Sequence, residues 1–188
     1  MQQTRRQYTL DDYFFMQRGL DLKLEYFNGE IYAMSGGTEA HNTISLNVAS
    51  FLRGAVAGSS CRAFGSDMRV STPSGLYTYP DVSVVCGPKV NSAETITSPI
   101  VLVEVLSDST RNYDRGDKFE LYRSIPTLRH YLLIEQSFVQ VEHRRLETDG
   151  SWSREITESL DDIVQLSEIG VDLPVARIYE DVEVPSAR

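Results

Sequence analysis

The sequence predicts an α/β (α+β) fold in which a mixed central β-sheet is flanked by helices and preceded by an N-terminal hairpin. Asn28-Gly29 lies between two partly alternating runs and is the strongest short signal for a hairpin. Apolar residues recur at helical spacing across residues 38–58, which indicates an amphipathic helix on one face of the sheet. Residues 100–106 form an almost continuous aliphatic run, typical of a strand covered on both faces. Because 188 residues is about one domain's worth of chain, we expect a single domain over residues 1–188.

The N-terminal part of this prediction consists of a short helix, the hairpin and the amphipathic helix. Thr9 caps a helix that runs to about residue 18, and Gly19 follows as a stop signal. The hairpin places Glu25 and Glu30 on paired strands near the turn, so we expect two carboxylates close together. Thr38 is the expected cap of the amphipathic helix.

The rest of the chain carries strand signals interrupted by one longer helix. Apolar and β-branched runs separated by turn residues predict strands at residues 61–64, 67–71, 76–79, 82–86, 100–106, 129–134, 138–146, 152–156 and 163–166. A helix over residues 113–123, ended by Pro126, lies between two of these strands, which predicts a crossover unit. Residues 174–179 are expected to form a short closing helix with Pro174 in its first turn.

Composition limits the function classes that are open. The 27 acidic against 18 basic residues give a net charge of −9, which disfavours a general nucleic-acid coating protein because phosphate contacts need Lys and Arg. No window approaches the roughly 18 apolar residues of a membrane span, and the start lacks the apolar core of a secretion signal, so we expect a cytoplasmic location. Cys61 and Cys86 lack CxxC spacing, so we expect small buried thiols in a reducing compartment and no disulfide.

Glu104 is the most informative residue, because it alone interrupts the aliphatic run. An ionised carboxylate in a strand buried on both faces costs several kcal/mol unless a cation, a base or hydrogen bonds compensate it. Asp81 opens the next most apolar strand, and adjacent strands lie about 4.8 Å apart. Mg²⁺ is usually held by one or two carboxylates with water, a minimum that Asp81 and Glu104 meet. Two alternatives stay open, in which Asp81 caps a turn and Glu104 pairs with an arginine or with backbone groups.

The helix after this strand carries three cations. Lys118 follows Asp114 by four residues, and Arg111 and Arg115 recur on neighbouring turns of the same face. An i,i+4 ion pair contributes only about 0.2–0.5 kcal/mol to stability, so the stabilising role of the Asp114–Lys118 pair is weak. An amine near a metal-activated water could orient or deprotonate it. A salt-bridged surface helix is the alternative.

Pro80-Asp81 is followed by the run EVLSDSTRNYDRGDKFELY, which Glu104 opens and which contains Asp114 and Lys118. This ordered set resembles the Uma-type endonuclease family, within the PD-(D/E)XK restriction-endonuclease-like superfamily. The segments YTLDDY, LEYFNGEIYAMSGGTEAHN and SDMRV resemble that family's leader, hairpin, helix entry and first central strand, so the likeness covers most of the chain. The parent pattern has a lysine two residues after the second acid, where this chain has Leu106. Lys118 resembles a migrated substitute for it.

The resemblance implies a restriction-endonuclease-like core and hydrolysis of DNA phosphodiester bonds with Mg²⁺ or Mn²⁺. It implies Asp81, Glu104 and Lys118 as catalytic residues, and Asp81, Glu104 and the Val105 backbone carbonyl as metal ligands. Arg111 and Arg115 are candidates for phosphate binding, Glu25 and Asp67 are candidates for accessory acids, and Glu30 and His41 are weaker candidates.

Three functions from different classes follow from these observations. A metal-dependent DNA endonuclease leads, acting as a homodimer because two chains most simply cut both strands of a duplex. The alternative is a catalytically inactive relative that acts as a dimerising or partner-binding module, favoured by Leu106 in the usual lysine place and by the acidic charge. A hydrolase without metal is poorly supported, since the sequence has no GxSxG, no HExxH and no phosphate-binding glycine loop.

Overall fold

The computed structural model describes residues 7–20, 23–34, 36–88 and 94–183. The helices are α1 (Leu10–Gly19), α2 (Glu39–Ala55), α3 (Arg111–Arg115), α4 (Asp117–Tyr122) and α5 (Val175–Ile178), with a 3₁₀ turn at Ser167–Ile169. The strands are β1 (Leu24–Phe27), β2 (Glu30–Ala33), β3 (Cys61–Gly65), β4 (Arg69–Ser71), β5 (Tyr77–Thr78), β6 (Val82–Cys86), β7 (Thr95–Ile96), β8 (Val101–Leu106), β9 (His130–Glu135), β10 (Val141–Leu146), β11 (Trp152–Thr157), β12 (Ile163–Leu166) and β13 (Val171–Pro174). None of the helices in these ranges is long and apolar enough to cross a membrane.

A mixed sheet of six strands forms the centre of the described structure, in the order β11-β10-β9-β8-β6-β3. β8 and β9 are parallel and are joined through α3 and α4, whereas the other neighbours are antiparallel. A smaller sheet, β2-β1-β5-β4-β7, contains the N-terminal hairpin, and β12 pairs with β13. The predicted fold class is therefore confirmed: a mixed central sheet, flanking helices, a crossover and an N-terminal hairpin.

Both faces of the central strands β8 and β9 are buried. All six residues of β8 are buried, as the aliphatic run predicts. On one face, α2 packs on the valines of β6 and β8, and this cluster includes Ile44, Val48, Leu52, Val82, Val84, Val101, Val103 and Val105. On the other face, α4 covers alternate residues of β8 and β9 in a cluster that includes Leu102, Leu106, Phe119, Tyr122, Tyr131 and Leu133. Glu104 alternates onto the second face, beneath α4.

Local signals determine the N-terminal elements. Asn28 (φ 48°) and Gly29 (φ 82°) both take positive φ, as a two-residue hairpin turn between β1 and β2 requires. Thr9 caps α1 through a reciprocal capping box with Asp12. The Thr38 hydroxyl accepts a hydrogen bond from the His41 backbone N–H and caps α2. These expectations are confirmed.

The predicted helix over residues 113–123 is wrong as a single element, because α3 and α4 are separate helices with Gly116 between them. Gly116 has φ −108° and ψ −100°, which are not helical angles. A Cβ at this position would lie 3.1 Å from the Asn112 carbonyl oxygen, so glycine suits the close approach of the two backbones.

The expectation of unpaired cysteines is also wrong, because a disulfide joins Cys61 and Cys86. Antiparallel pairing of β3 with β6 sets the two residues directly opposite each other, with their Cα atoms 3.9 Å apart. The spacing of two cysteines along the chain does not show which residues pair across neighbouring strands. The absence of a CxxC motif therefore did not exclude this disulfide. The cytoplasmic location stays a prediction.

A buried pair of imidazoles connects β9 and β10. His130 Nδ1 lies 2.8 Å from His143 Nε2, and His130 Nε2 contacts the Glu168 carboxylate. His130 and His143 are 0% and 5% exposed. Burial, reinforced by the neighbouring His130, lowers the pKa of His143 to about 4. The folded chain therefore holds this imidazole neutral at neutral pH.

Acidification is expected to destabilise the fold through His143. The unfolded chain binds this proton near pH 6.5 and the folded chain only near pH 4, so stability is lost as pH falls between those values. Between pH 7 and pH 4.5, the free energy of unfolding of wild type should fall by about 2–3 kcal/mol more than that of His143→Gln. Urea unfolding at both pH values measures this difference, and equal losses in the two proteins would contradict the assignment.

Candidate active site

Antiparallel pairing of β6 with β8 brings Asp81 and Glu104 together. The register pairs Val82 with Val103, and one residue further along both strands it sets Asp81 opposite Glu104. Asp81 Oδ2 accepts a hydrogen bond of 2.7 Å from the Val105 backbone N–H. The side chains of Asp81 and Glu104 are only 12% and 7% exposed. The carboxylate that precedes β6 therefore lies next to the one within β8.

A lysine and a tyrosine from α4 compensate Glu104. Its Oε1 lies 2.8 Å from Lys118 Nζ and accepts a hydrogen bond of 2.7 Å from the Tyr122 hydroxyl. Burial acts to raise the pKa of Glu104, and the Lys118 ammonium 2.8 Å away opposes that rise and favours the ionised carboxylate. The partner of the Glu104 carboxylate is therefore a lysine, and not the arginine that the sequence left open as an alternative.

Lys118 lies among three carboxylates at the base of the site. Besides Glu104, its Nζ is 3.3 Å from Asp114 Oδ1 and 3.9 Å from Glu25 Oε1. Burial acts to lower the pKa of Lys118, but the charges of Glu104, Glu25 and Asp114 outweigh it and raise the pKa well above its usual value. Lys118 is therefore a cation at neutral pH. It can orient a group or neutralise a charge, but it cannot accept a proton.

The hairpin contributes Glu25 to this cluster. Glu25 lies on β1, and its Oε1 accepts hydrogen bonds from the Thr78 hydroxyl and, at 3.4 Å, from the Tyr79 backbone N–H. Pairing of β1 with β5 brings these groups together. The predicted accessory acid therefore lies beside Lys118.

His41, in the first turn of α2, also reaches the site. Its Nε2 lies 3.4 Å from Asp81 Oδ2, and the hydrogen bond with Asp81 raises the pKa of His41 against the effect of burial. A Cβ at Gly37 would lie 2.8 Å from the His41 Nδ1, so glycine at this position leaves room for the ring. The sequence ranks His41 among the weaker candidates, and its closeness to Asp81 depends on how α2 packs on β6.

Other predicted residues lie elsewhere. Asp67 has a side chain 94% exposed and pairs with Lys23. Arg111 and Arg115 bind the buried Glu135 carboxylate at 2.8 and 3.0 Å. Glu30 accepts a hydrogen bond from Tyr32. None of the four predicted residues, Asp67, Arg111, Arg115 and Glu30, lines the cavity described below. Phosphate binding by the two arginines stays a prediction.

Sequence reasoning missed Tyr122 as a site residue. Asp114, Lys118 and Tyr122 follow one another at intervals of four residues, and this spacing is the signal that could have found it. The hydroxyl of Tyr122 is fully buried with Glu104 as its acceptor, which raises the pKa of Tyr122 well above its usual value, chiefly through burial. Tyr122 therefore stays a neutral donor.

The site forms the floor of a cavity of about 1270 Å³ between the hairpin, the entry to α2 and the helices α3 and α4. Its walls include the aromatic rings of Phe27, Tyr32 and Tyr113. Among the described residues that line it, the acids are Glu25, Asp81, Glu104, Asp114, Asp117 and Glu120, and the lysines are Lys23 and Lys118. The cavity is therefore acidic.

The donor set at the floor fits a hard divalent cation. The hydrogen bonds to described residues use Asp81 Oδ2 and Glu104 Oε1, and the second oxygen of each carboxylate accepts none from those residues. No group of three or more His, Cys, Asp or Glu side chains in the described ranges is arranged to hold a metal ion. A cation here would depend on two carboxylates, a backbone carbonyl and water, a combination that Mg²⁺ accepts.

Comparisons with known proteins agree with the resemblance seen in the sequence. A family model described as "Uma2: Putative restriction endonuclease" matches residues 10–176. "Uncharacterized protein slr1290" of Synechocystis sp. is 39% identical over 159 residues, which cover 84% of this chain and 83% of that protein. "Uncharacterized protein sll1609" of the same organism is 36% identical over 148 residues, or 77% of this chain and 84% of that protein.

A solved structure shares the fold. The crystal structure described as "a putative nuclease belonging to DUF820" from Anabaena variabilis superposes with a TM-score of 0.72 at 19% sequence identity. The match covers 91% of this chain and 97% of that chain. Because the family model spans most of the sequence and both relatives exceed 30% identity over most of their length, the chain belongs to the Uma2 family, the family that the sequence resembles.

Proposed function

We propose that this chain is a metal-dependent endonuclease that hydrolyses phosphodiester bonds of DNA. The observation that carries the proposal is the arrangement at the cavity floor. Asp81 directly precedes β6, Glu104 lies on the adjacent strand β8, and Lys118 binds Glu104 at 2.8 Å. The family description, a restriction endonuclease, supports the same reaction class.

Asp81, Glu104 and the Val105 carbonyl are the groups that would hold Mg²⁺ or Mn²⁺. Such a cation, when bound, lowers the pKa of water and offsets charge on a phosphate. The hydrogen bond from Val105 N–H fixes one oxygen of Asp81, and Tyr122 fixes one oxygen of Glu104. Both carboxylates therefore keep their orientation before any ligand arrives, which reduces the reorganisation that binding requires.

Lys118 supplies the positive charge that the parent pattern places at position 106. Leu106 is fully buried in the cluster beneath α4 and cannot provide a cation. The Lys118 ammonium reaches the same carboxylate from the helix and remains protonated at neutral pH. We assign it to neutralising charge near Glu104 and to holding a phosphate oxygen or a water in line.

Two further expectations from the sequence, a homodimer and an inactive partner-binding module, bear on this proposal. The predicted homodimer would supply one site for each strand of a duplex; it stays a prediction and applies only where a duplex is the substrate. The inactive, partner-binding alternative predicts that the carboxylates serve stability alone, and the experiments below separate it from catalysis.

Substitution of the site carboxylates is expected to abolish cleavage. Asp81→Asn and Glu104→Gln keep shape and hydrogen-bond acceptors but remove charge, so cleavage should slow by about 100-fold or more through the loss of about 3 kcal/mol of charge stabilisation. Nicking of a supercoiled plasmid and of a circular single-stranded DNA with Mg²⁺ or Mn²⁺ measures the rates.

Glu155→Gln is the matched control for these variants. Glu155 is an exposed acid on β11, at the far edge of the central sheet, and its substitution should leave cleavage unchanged. Equal cleavage by wild type, both site variants and the control would contradict the proposal. It would favour the partner-binding module.

The Lys118–Glu104 contact is expected to couple the two residues in stability as well. Lys118→Met leaves Glu104 buried without its cation, whereas adding Glu104→Gln removes the charge that needed compensation. A double-mutant cycle by urea unfolding should give a coupling energy of about 1–3 kcal/mol. Additive losses would show that the two groups do not interact in solution.

A further inference from the structure

We propose that the substrate enters the cavity as an unpaired DNA strand, whose bases stack on the aromatic wall formed by Phe27, Tyr32 and Tyr113. This inference rests on the proposed function and names the form of DNA that the site takes. It follows from the depth of the site, the charge of its walls and the apolar surface beside it.

The reacting groups are largely buried, which disfavours the approach of a straight duplex. The side chains of Asp81, Glu104 and Lys118 are 12%, 7% and 6% exposed, at the floor of a cavity with protein on several sides. Duplex DNA has a persistence length of about 50 nm and stays nearly straight over the few base pairs that could face this opening. An unpaired strand bends freely, so one phosphate can reach the floor while its neighbours follow the walls.

The lining residues that the structure describes include few of the cations that duplex binding uses. Proteins hold duplex DNA mainly through several Lys and Arg contacts to phosphates. Among the described lining residues the cations are Lys23, which contacts Ser66 and Asp67, and Lys118, which binds Glu104. Six lining acids outnumber these two lysines, so the described walls add little attraction for phosphates beyond that of a bound cation.

Apolar and aromatic side chains also line the cavity. Tyr32 and Met34, from the hairpin, are 48% and 37% exposed and line the cavity, together with the partly buried rings of Phe27 and Tyr113. Stacking of a base on an aromatic side chain contributes about 1–3 kcal/mol and does not depend on the base. A duplex keeps its bases paired and cannot use this surface. An unpaired strand can.

Fluorescence anisotropy tests this with a labelled 12-nucleotide DNA strand, a hairpin duplex of the same sequence and an RNA strand of that sequence. Ca²⁺ replaces Mg²⁺ so that binding is measured apart from cleavage. The unpaired DNA should bind more tightly than the duplex. The two lining lysines can neutralise at most two phosphates. A plot of the logarithm of the binding constant against the logarithm of the salt concentration should therefore have a slope no steeper than about −1.4.

Variants of Tyr32 identify the surface. Tyr32→Ala should weaken binding of the unpaired strand by about 5- to 150-fold, and Tyr32→Phe, which keeps the ring, should retain it within about 2-fold. Phe15→Ala is the control, because Phe15 is 76% exposed on α1 and does not line the cavity. Circular dichroism checks that each variant is folded.

The outcomes separate this inference from the proposed function. Equal or tighter binding of the duplex, or equal effects of Tyr32→Ala and Phe15→Ala, would overturn the unpaired-strand assignment. Tighter binding of RNA would overturn the assignment to DNA. Cleavage of duplex alone that depends on Asp81 would overturn the inference and leave the nuclease standing. Binding of unpaired DNA without any cleavage that depends on Asp81 would overturn the nuclease.

Discussion

The ion pair between Glu104 and Lys118 is the interaction on which the rest of the site depends. β8 is buried on both faces, and a lone carboxylate there would be costly. α4 follows β8 in the crossover and covers this face of the sheet, so the same connection that builds the core also delivers Lys118 and Tyr122 to Glu104. The antiparallel neighbour β6 then adds Asp81. The same crossover connection therefore packs the core and assembles the site.

Charge is distributed unevenly around the site. The cavity is acidic, whereas Arg111 and Arg115 cluster on the far side of α3, where they compensate the buried carboxylates of Glu135 and Glu142. An acidic floor attracts cations, and its aromatic walls suit bases better than phosphates. The net charge of −9, which disfavours a protein that coats nucleic acid, is consistent with a site that admits one strand locally.

Local signals predicted much of the fold, because caps, turns and hydrophobic periodicity depend on neighbouring residues. The Asn28-Gly29 turn and the caps of α1 and α2 belong to this class. Glu104 could be singled out because a charge within an aliphatic run needs compensation. The Cys61–Cys86 bond could not be predicted, because it depends on the register between β3 and β6.

The orientation of side chains along the crossover helices was likewise beyond the sequence. Gly116 divides the predicted helix, so Lys118 faces the cavity while Arg111 and Arg115 face β9 and β10. A single continuous helix would have placed all three on one face, as the spacing suggested. His41 approaches Asp81 only because α2 packs on β6, which no local pattern records.

The most direct test of the central claim is a crystal of the full chain soaked in Mn²⁺, with anomalous density measured at the cavity floor. The account predicts one strong peak within about 2.2 Å of oxygens from both Asp81 and Glu104, near the Val105 carbonyl. A map with no peak there, and with Glu104 still bound only by Lys118 and Tyr122, would contradict it.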